Sequence, residues 1–193
     1  MSKPPQGPPV RSSGPAGWVT VPNVISILRL VILAPLFVVL LLVWDSPFWA
    51  LIVAVILGAT DWVDGWVARR FHQVTDLGRA LDPIADRLSQ IIVAGTMVIA
   101  GLLPIWVALT VIFADVILGV TILLRRPGIL PVSWVGRLRT AFLMIGLPAV
   151  LAVETFAPEN MALQISALGM VAVGALLHLT ANLLYTRSIL TKT

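Results

Sequence analysis

Residues 47–86 read PFWALIVAVILGATDWVDGWVARRFHQVTDLGRALDPIAD, an apolar run that leads into four regularly spaced aspartates, Asp61, Asp64, Asp82 and Asp86. The apolar part has the character of a membrane helix. At membrane depth, each unpaired carboxylate costs on the order of a few kcal/mol, so helix packing does not explain four of them. The stretch therefore predicts a membrane helix that enters a site where cations neutralise the carboxylates.

The composition of the whole chain is that of an integral membrane protein. Of its 193 residues, 59% are hydrophobic and 11% are charged, and the mean hydropathy is +1.00. We expect one membrane domain, residues 18–193, after a disordered Pro/Gly/Ser-rich tail, residues 1–17. The chain has no cysteine, and its two histidines are too few for a histidine-rich site. Oxygen ligands remain, which favours Mg²⁺, Mn²⁺ or Ca²⁺.

Six apolar runs are close to the roughly 20 residues that a spanning helix needs. The predicted spans are residues 24–43, 47–69, 80–101, 104–124, 138–155 and 161–186. Proline and glycine mark joints between them, at residues 46–47, 101–104, 127–128 and 158. We therefore predict an all-α integral membrane fold with six transmembrane helices.

The charges predict the orientation of these spans. All thirteen lysines and arginines lie on or near one side, whereas the opposite loops hold only Asp45, Glu154 and Glu159. The positive-inside rule then places both termini in the cytoplasm. We expect a multi-pass protein of a bacterial plasma membrane, with the aspartates at the cytoplasmic ends of spans two and three.

The aspartate spacing puts two carboxylates on one face of each of two helices. Asp61 and Asp64 are spaced i, i+3, and Asp82 and Asp86 are spaced i, i+4. Because a short loop joins the two helices, the four side chains can converge. Their formal charge of −4 matches two divalent cations, which can clamp a diphosphate. The alternative is a set of interfacial anchors paired with nearby arginines, which would need no regular spacing.

Small and basic residues accompany the aspartates. Gly65 removes a side chain where a ligand must approach the backbone closely, and Ala68 does so less strongly. Arg69 supplies a cation for a phosphate group, and Gly78 frees the turn into span three.

The full pattern D-x2-D-G-x2-A-R-x8-G-x3-D-x3-D, residues 61–86, resembles the signature of the CDP-alcohol phosphatidyltransferase family at every position. Two further stretches strengthen the resemblance, which covers roughly residues 20–190. Residues 22–29, PNVISILR, resemble the family's entry into its first span. Residues 136–140, GRLRT, are similar to a Gly-Lys-x-Lys-Thr stretch of bacterial glycerophosphate-type members, with arginine in place of lysine.

The resemblance implies transfer of a phosphatidyl group from CDP-diacylglycerol to an alcohol, with release of CMP. It implies that two Mg²⁺ or Mn²⁺ ions are held by Asp61, Asp64, Asp82 and Asp86, and that Asp86 is also the general base. The residues implied to bind the CDP-lipid are Gly65, Ala68, Arg69, Gly78 and Arg29. For Arg29, a structural pairing with a carboxylate is an equal alternative. A homodimer is implied, and no nucleic acid partner is expected.

The acceptor is less determined. The candidate acceptor-binding residues are Arg137, Arg139, Arg125, Arg126 and Arg187. Arginine binds phosphate in a bidentate manner, but the same residues would also serve as anchors to anionic lipid headgroups. The GRLRT stretch favours the functional interpretation for two of them, Arg137 and Arg139. We expect glycerol 3-phosphate as the acceptor; phosphatidylglycerol, which would give cardiolipin, and inositol phosphate are the alternatives.

Asp115, His178 and Asn182 are three further polar residues of interest inside the later spans. Asp115 is mid-span, and a functional and a structural role are equally open for it. Relatives often carry arginine before the acidic residue at the comparable place, whereas this chain has Ala114. His178 and Asn182 are spaced i, i+4 and predict hydrogen bonds between helices.

Two other classes of protein use membrane aspartates. A polyprenyl transferase would have more spans and differently spaced aspartates. A divalent-cation or proton transporter would place its site near the midplane between repeats, but here the cluster lies toward one end and no internal repeat is visible.

Overall fold

The computed structural model describes residues 21–70, 76–125 and 134–191, apart from the side chains of residues 21–22, 61–62, 64–70 and 76–83. Within these ranges the regular secondary structure is all helical, and short turns join the helices. Its six helical segments are α1 (residues 21–43), α2 (Pro47–Arg70), α3 (Asp76–Ile99), α4 (Ile105–Arg125), α5 (Trp134–Phe156) and α6 (Met161–Thr191). The all-α prediction is confirmed, and each predicted span lies on one helix.

Four segments are long and apolar enough to cross a membrane: Asn23–Val43, Ile105–Arg125, Trp134–Phe156 and Met161–Thr191. The other two helices carry the aspartates. On α2, the apolar part is Pro47–Thr60. On α3, charges interrupt the first turns. The predicted tail (residues 1–17) and the joint at residues 127–128 lie outside the described residues.

The first helix changes its winding around a proline. It is α-helical over Val21–Leu28 and Ala34–Val38 and π-helical over Arg29–Leu33 and Val39–Val43. Pro35 lacks an N–H group and its ring crowds the preceding turn of an α-helix. The wider π turn just before it fits this ring without breaking the helix, and Arg29, at the start of that turn, is buried.

Three turns lie at the same end of the bundle. Phe48, at the start of α2, packs edge-on against Phe156 at the end of α5, with ring centroids 6.1 Å apart. Gly101, in the turn after α3, and Glu154, near the end of α5, line one cavity. None of these three turns contains a lysine or an arginine. The fold thus gathers at one end the loops that the sequence leaves without basic residues.

Helices α5 and α6 form the largest interface and approach each other closely at two glycines. A Cβ atom on Gly146 would lie 2.9 Å from Cγ2 of Val171, and one on Gly174 would lie 2.9 Å from Cδ2 of Leu143. Small residues allow such approach between membrane helices. One helical turn beyond this contact, α5 carries Arg139 and α6 carries His178, so the close packing brings two polar side chains together.

Candidate active site

The motif aspartates lie at similar distances, counted along each helix, from the facing ends of α2 and α3 in the chain. Asp64 lies six residues before the end of α2, and Asp82 lies six residues after the start of α3, which is about 9 Å along each helix axis. Asp61 and Asp86 lie one turn farther from the connection, at about 14 Å and 15 Å. The convergence of the four carboxylates stays a prediction, because these positions are counted along each helix separately. The side chains of Asp61, Asp64 and Asp82 lie outside the described residues.

The remaining motif positions are placed by their backbone alone. Gly65, Ala68 and Arg69 lie in the last two turns of α2, and Gly78 lies in the first turn of α3. Their predicted roles remain predictions, because no side chain is described there.

Asp86 borders two cavities. Its side chain is exposed and lines a first cavity together with Arg29 of α1 and Gly58 of α2. It also lines a second, smaller cavity with Arg139 of α5 and His178 of α6. Asp86 thus lies between one arginine predicted to serve the donor and another predicted to serve the acceptor.

The walls of the two cavities differ in polarity. Beyond the arginine and Asp86, the first cavity has two polar residues, Ser89 and Gln90, and is otherwise apolar or glycine, with Ala54, Leu57, Gly58, Val93, Leu143, Met144, Leu147 and Pro148. The second has polar groups on all three of its helices, α3, α5 and α6. Phosphate and hydroxyl groups suit the second cavity, whereas the first also offers surface to hydrocarbon.

A polar cluster around Asp115 connects α3, α4, α5 and α6. Arg87 Nη1 donates a hydrogen bond to Asp115 Oδ1 and forms an ion pair with it. His178 Nε2 and Asn182 Nδ2 each lie 2.9 Å from the same oxygen. The predicted hydrogen bonds of His178 and Asn182 between helices are confirmed. Asp115 is paired within the protein, as its structural interpretation requires.

Arg139 is bound to the same cluster through α6. Its Nη1 lies 2.9 Å from Asn182 Oδ1 and 3.1 Å from His178 Nδ1. A neutral imidazole with its proton on Nε2 satisfies both neighbours, since it donates to Asp115 and accepts from Arg139. Arg139 is therefore held on one side and lines the cavity of Asp86 on the other.

The other candidate arginines are placed differently. Arg125, Arg137 and Arg187 are exposed, and neither cavity that contains Asp86 includes them. The guanidinium carbon of Arg137 lies 5.6 Å from the centre of the Trp134 ring, in a cation–π contact. Arg126 lies outside the described residues. Of the described candidates, the fold brings Arg29 and Arg139 to Asp86.

The residues present suit hard divalent cations. Among the described side chains, no group of three His, Asp or Glu residues forms a metal site, and three of the four motif carboxylates are not among those side chains. Asp86 is exposed beside a cavity, and Asp82 precedes it by one turn on the same helix. A set of carboxylate oxygens is the donor set that Mg²⁺ and Mn²⁺ prefer.

The ion pair between Arg87 and Asp115 was not predicted from the sequence. Arg87 follows Asp86 directly and is one of several arginines available as anchors there. The sequence signal for such a pairing was Asp115 itself, because a carboxylate in the middle of a span needs a cation or several hydrogen-bond donors. Four arginines lie between residues 69 and 87, and only the packing of α3 against α4 selects one of them.

Comparison with known proteins identifies the family. Residues 19–186 match the CDP-alcohol phosphatidyltransferase family. The chain belongs to this family. The match begins just before α1 and ends within α6, so it includes the helices that carry the motif and both cavities. Members of the family use CDP-diacylglycerol and an alcohol acceptor, and they generally depend on a divalent cation.

Curated relatives within this family carry different names. A Mycobacterium bovis protein named putative cardiolipin synthase is 37% identical over 136 residues, which cover 69% of this chain and 65% of the relative. Cardiolipin synthase (CMP-forming) of Streptomyces coelicolor is 37% identical over 141 residues, with the same coverage. An Escherichia coli K12 protein named CDP-diacylglycerol–glycerol-3-phosphate 3-phosphatidyltransferase is 34% identical over 136 residues, which cover 66% of this chain and 74% of the relative. The chain thus spans 65% of the length of the first two.

Proposed function

We propose that this chain transfers a phosphatidyl group from CDP-diacylglycerol to the primary hydroxyl of a glycerol phosphate and releases CMP. The position of Asp86 carries the proposal. It borders one cavity with Arg29 and a second with Arg139, so a phosphate-binding residue lies on either side of one carboxylate. Family membership supplies the donor.

The described residues support a division of roles. Arg29, buried beside the first cavity, neutralises a phosphate of the donor. Asp86 orients the acceptor hydroxyl and takes its proton as the oxygen attacks the β-phosphorus of the CDP-lipid. The new P–O bond joins the acceptor to the phosphatidyl group, and the electron pair of the broken P–O bond leaves on CMP. Arg139 binds the phosphate of the acceptor on the far side of Asp86.

The motif residues complete the donor side. Asp61, Asp64, Asp82 and Asp86 would hold two Mg²⁺ ions, and Gly65, Ala68, Arg69 and Gly78 would line the CDP site. When bound, the ions supply positive charge to the diphosphate and to the leaving CMP. The chain's own contribution would be to bring the four carboxylates of two helices to one site.

Glycerol 3-phosphate is the leading acceptor. It carries a primary hydroxyl and a phosphate within one small molecule, and the second cavity offers Asp86 for the first group and Arg139 for the second. The product would be phosphatidylglycerophosphate. The named E. coli relative has this acceptor in its name.

Phosphatidylglycerol is the second candidate, because its headgroup presents the same glycerol phosphate. The mostly apolar first cavity also reaches Asp86 and suits the hydrocarbon of a lipid substrate. Two of the relatives are named cardiolipin synthase. The two candidates differ in acyl chains and in phosphate charge, so a direct assay separates them.

The deciding experiment is CMP release by the purified protein with CDP-diacylglycerol and Mg²⁺. Glycerol 3-phosphate, phosphatidylglycerol and inositol phosphate are tested in parallel, with EDTA as the metal-free control. We expect release with a glycerol phosphate acceptor and none with EDTA. Release with inositol phosphate alone would refute a glycerol phosphate as the acceptor. No release from folded, metal-loaded protein would refute the proposed transfer.

We also propose that all six helices span a bacterial plasma membrane, with both termini and the active site on the cytoplasmic side, and that the protein is a homodimer. Because the chain has no cysteine, single cysteines report orientation without background. Glu159→Cys should react with an impermeant thiol reagent added outside intact cells, and Thr191→Cys should not. The opposite labelling pattern would show that the termini lie outside the cytoplasm and would refute the proposed orientation. Cross-linking in membranes tests the dimer.

A further inference from the structure

Two buried side chains of α6 hold one nitrogen of Arg139. Asn182 Oδ1 and His178 Nδ1 both accept from Nη1, at 2.9 Å and 3.1 Å. The exposed fractions of Asn182 and His178 are 0% and 3%, so water does not replace these acceptors. Both N–H groups of Nη1 are therefore committed to α6. At most three of the five N–H groups of Arg139 remain for a ligand.

Asp115 fixes the direction of both acceptors. Its Oδ1 accepts from His178 Nε2 and from Asn182 Nδ2, each at 2.9 Å. Donation from Nε2 leaves the lone pair of Nδ1 directed to Arg139, and donation from Nδ2 turns the amide oxygen the same way. The carboxylate on α4 thereby determines which atoms α6 presents to α5.

The polar cluster around Asp115 contains more hydrogen bonds than are needed to join the helices. Asp115 with Arg87, His178 and Asn182 already joins α3, α4 and α6. The additional bonds to Arg139 extend the cluster to the wall of the cavity that contains Asp86. An arginine held on one edge loses less rotamer freedom when its other edge binds phosphate, which strengthens binding.

We propose that Asp115, His178 and Asn182 are positioning residues that hold Arg139 in the orientation that binds the phosphate of the acceptor. This inference rests on the proposed transfer to a glycerol phosphate. It predicts an effect on the acceptor and not on CDP-diacylglycerol, because the cluster borders the second cavity and Arg29 borders the first.

Asn182→Leu tests the proposal with a side chain of similar size that neither accepts nor donates. We expect the KM for the acceptor, glycerol 3-phosphate or phosphatidylglycerol, to rise about tenfold, and the KM for CDP-diacylglycerol to stay within about twofold. Thr180→Ala is the matched control. It lies on α6 between His178 and Asn182 and is exposed, and its hydroxyl donates to the carbonyl of Leu176 in its own helix.

A double-mutant cycle separates positioning from general destabilisation. In an Arg139→Ala background, Asn182→Leu should cause no further rise in the acceptor KM, since both changes remove the same interaction. The proposal would be overturned if the two substitutions raised the acceptor KM independently, so that their effects multiplied in the double variant. It would also be overturned if Asn182→Leu left the acceptor KM unchanged or changed both KM values equally.

His178→Gln provides a second variant if Asn182→Leu does not fold. Glutamine keeps a donor for Asp115 but places no acceptor at the position of Nδ1, so the same rise in acceptor KM is expected. The shift in Tm caused by glycerol 3-phosphate gives a readout without turnover. Wild-type protein that releases no CMP refutes the proposed function, whereas active wild-type protein with unaffected variants refutes only the positioning role.

Discussion

Asp86 and Asp115 are two aspartates within the helical bundle, and their surroundings differ. Asp86 is exposed and borders two cavities. The side chain of Asp115 is 10% exposed, and one of its oxygens takes donors from α3 and α6. An accessible carboxylate can exchange partners with a substrate, whereas one that binds donors of three side chains from two other helices cannot do so without separating those helices. The difference fits the proposed chemistry at Asp86 and a supporting role for Asp115.

The largest expected effect is at the motif positions for which only the backbone is described. Asp64→Asn removes one of four charges that two cations require, so we expect CMP release to fall by a factor of about 10³ or more. Asp45→Asn, in the turn at the opposite end of the bundle, is the control. Activity of Asp64→Asn near the wild-type value, measured at several Mg²⁺ concentrations, would refute the two-cation site.

Asp86→Asn should have the second-largest effect on activity. Asparagine cannot accept the proton of the acceptor hydroxyl, so we expect kcat to fall by a factor of about 10² while CDP-diacylglycerol still binds. Thermal unfolding in detergent should be nearly unchanged, because the side chain is exposed. A large loss of Tm with normal kcat would place Asp86 among the structural residues and reverse the comparison.

Asp115→Asn should lower stability more than it lowers kcat, the reverse of Asp86→Asn. Loss of the negative charge leaves Arg87 without its anion and weakens the bonds from α6, at a cost of about 2 kcal/mol in unfolding free energy. Activity per folded molecule should persist at saturating acceptor. The measurement is Tm together with kcat at high acceptor concentration. Abolished kcat in a folded Asp115→Asn protein would assign Asp115 a direct part in the chemistry.

The helix contact that supports the cluster should respond to a single methyl group. A Cβ on Gly146 would lie 2.9 Å from a methyl of Val171 and 3.3 Å from its backbone nitrogen, whereas one on Gly169 would have no neighbour within 4 Å. We expect Gly146→Ala to destabilise by about 1 kcal/mol and Gly169→Ala to be neutral or slightly stabilising. Equal Tm values for the two variants would contradict the close approach of α5 and α6.

The smallest effect is expected at an exposed arginine. Arg125 lies at the end of α4, away from both cavities of Asp86. Arg125→Gln should change the acceptor KM by less than about twofold, since an exposed charge contributes little. A rise in acceptor KM comparable to that of Arg139→Ala would show that Arg125 contributes to acceptor binding.

The sequence alone determined the helices and the class of the protein. Apolar run lengths predicted each of the six described helices, because the thickness of a membrane sets how many apolar residues a spanning helix needs. The motif of residues 61–86 was sufficient to indicate the family, since few other purposes place regularly spaced carboxylates, a glycine and an arginine in membrane helices. The i, i+4 spacing of His178 and Asn182 also predicted their hydrogen bonds to another helix.

Only the tertiary structure decided which charges meet. The sequence offered five arginines for the acceptor, and packing brings Arg139 to Asp86 while it leaves Arg125, Arg137 and Arg187 exposed. Equally, nothing in the pattern paired Arg87 with Asp115, which lies 28 residues away. Helix periodicity gives the face on which a residue lies, but partners on other helices depend on how closely and at what level the helices pack, which here the glycines of α5 and α6 control.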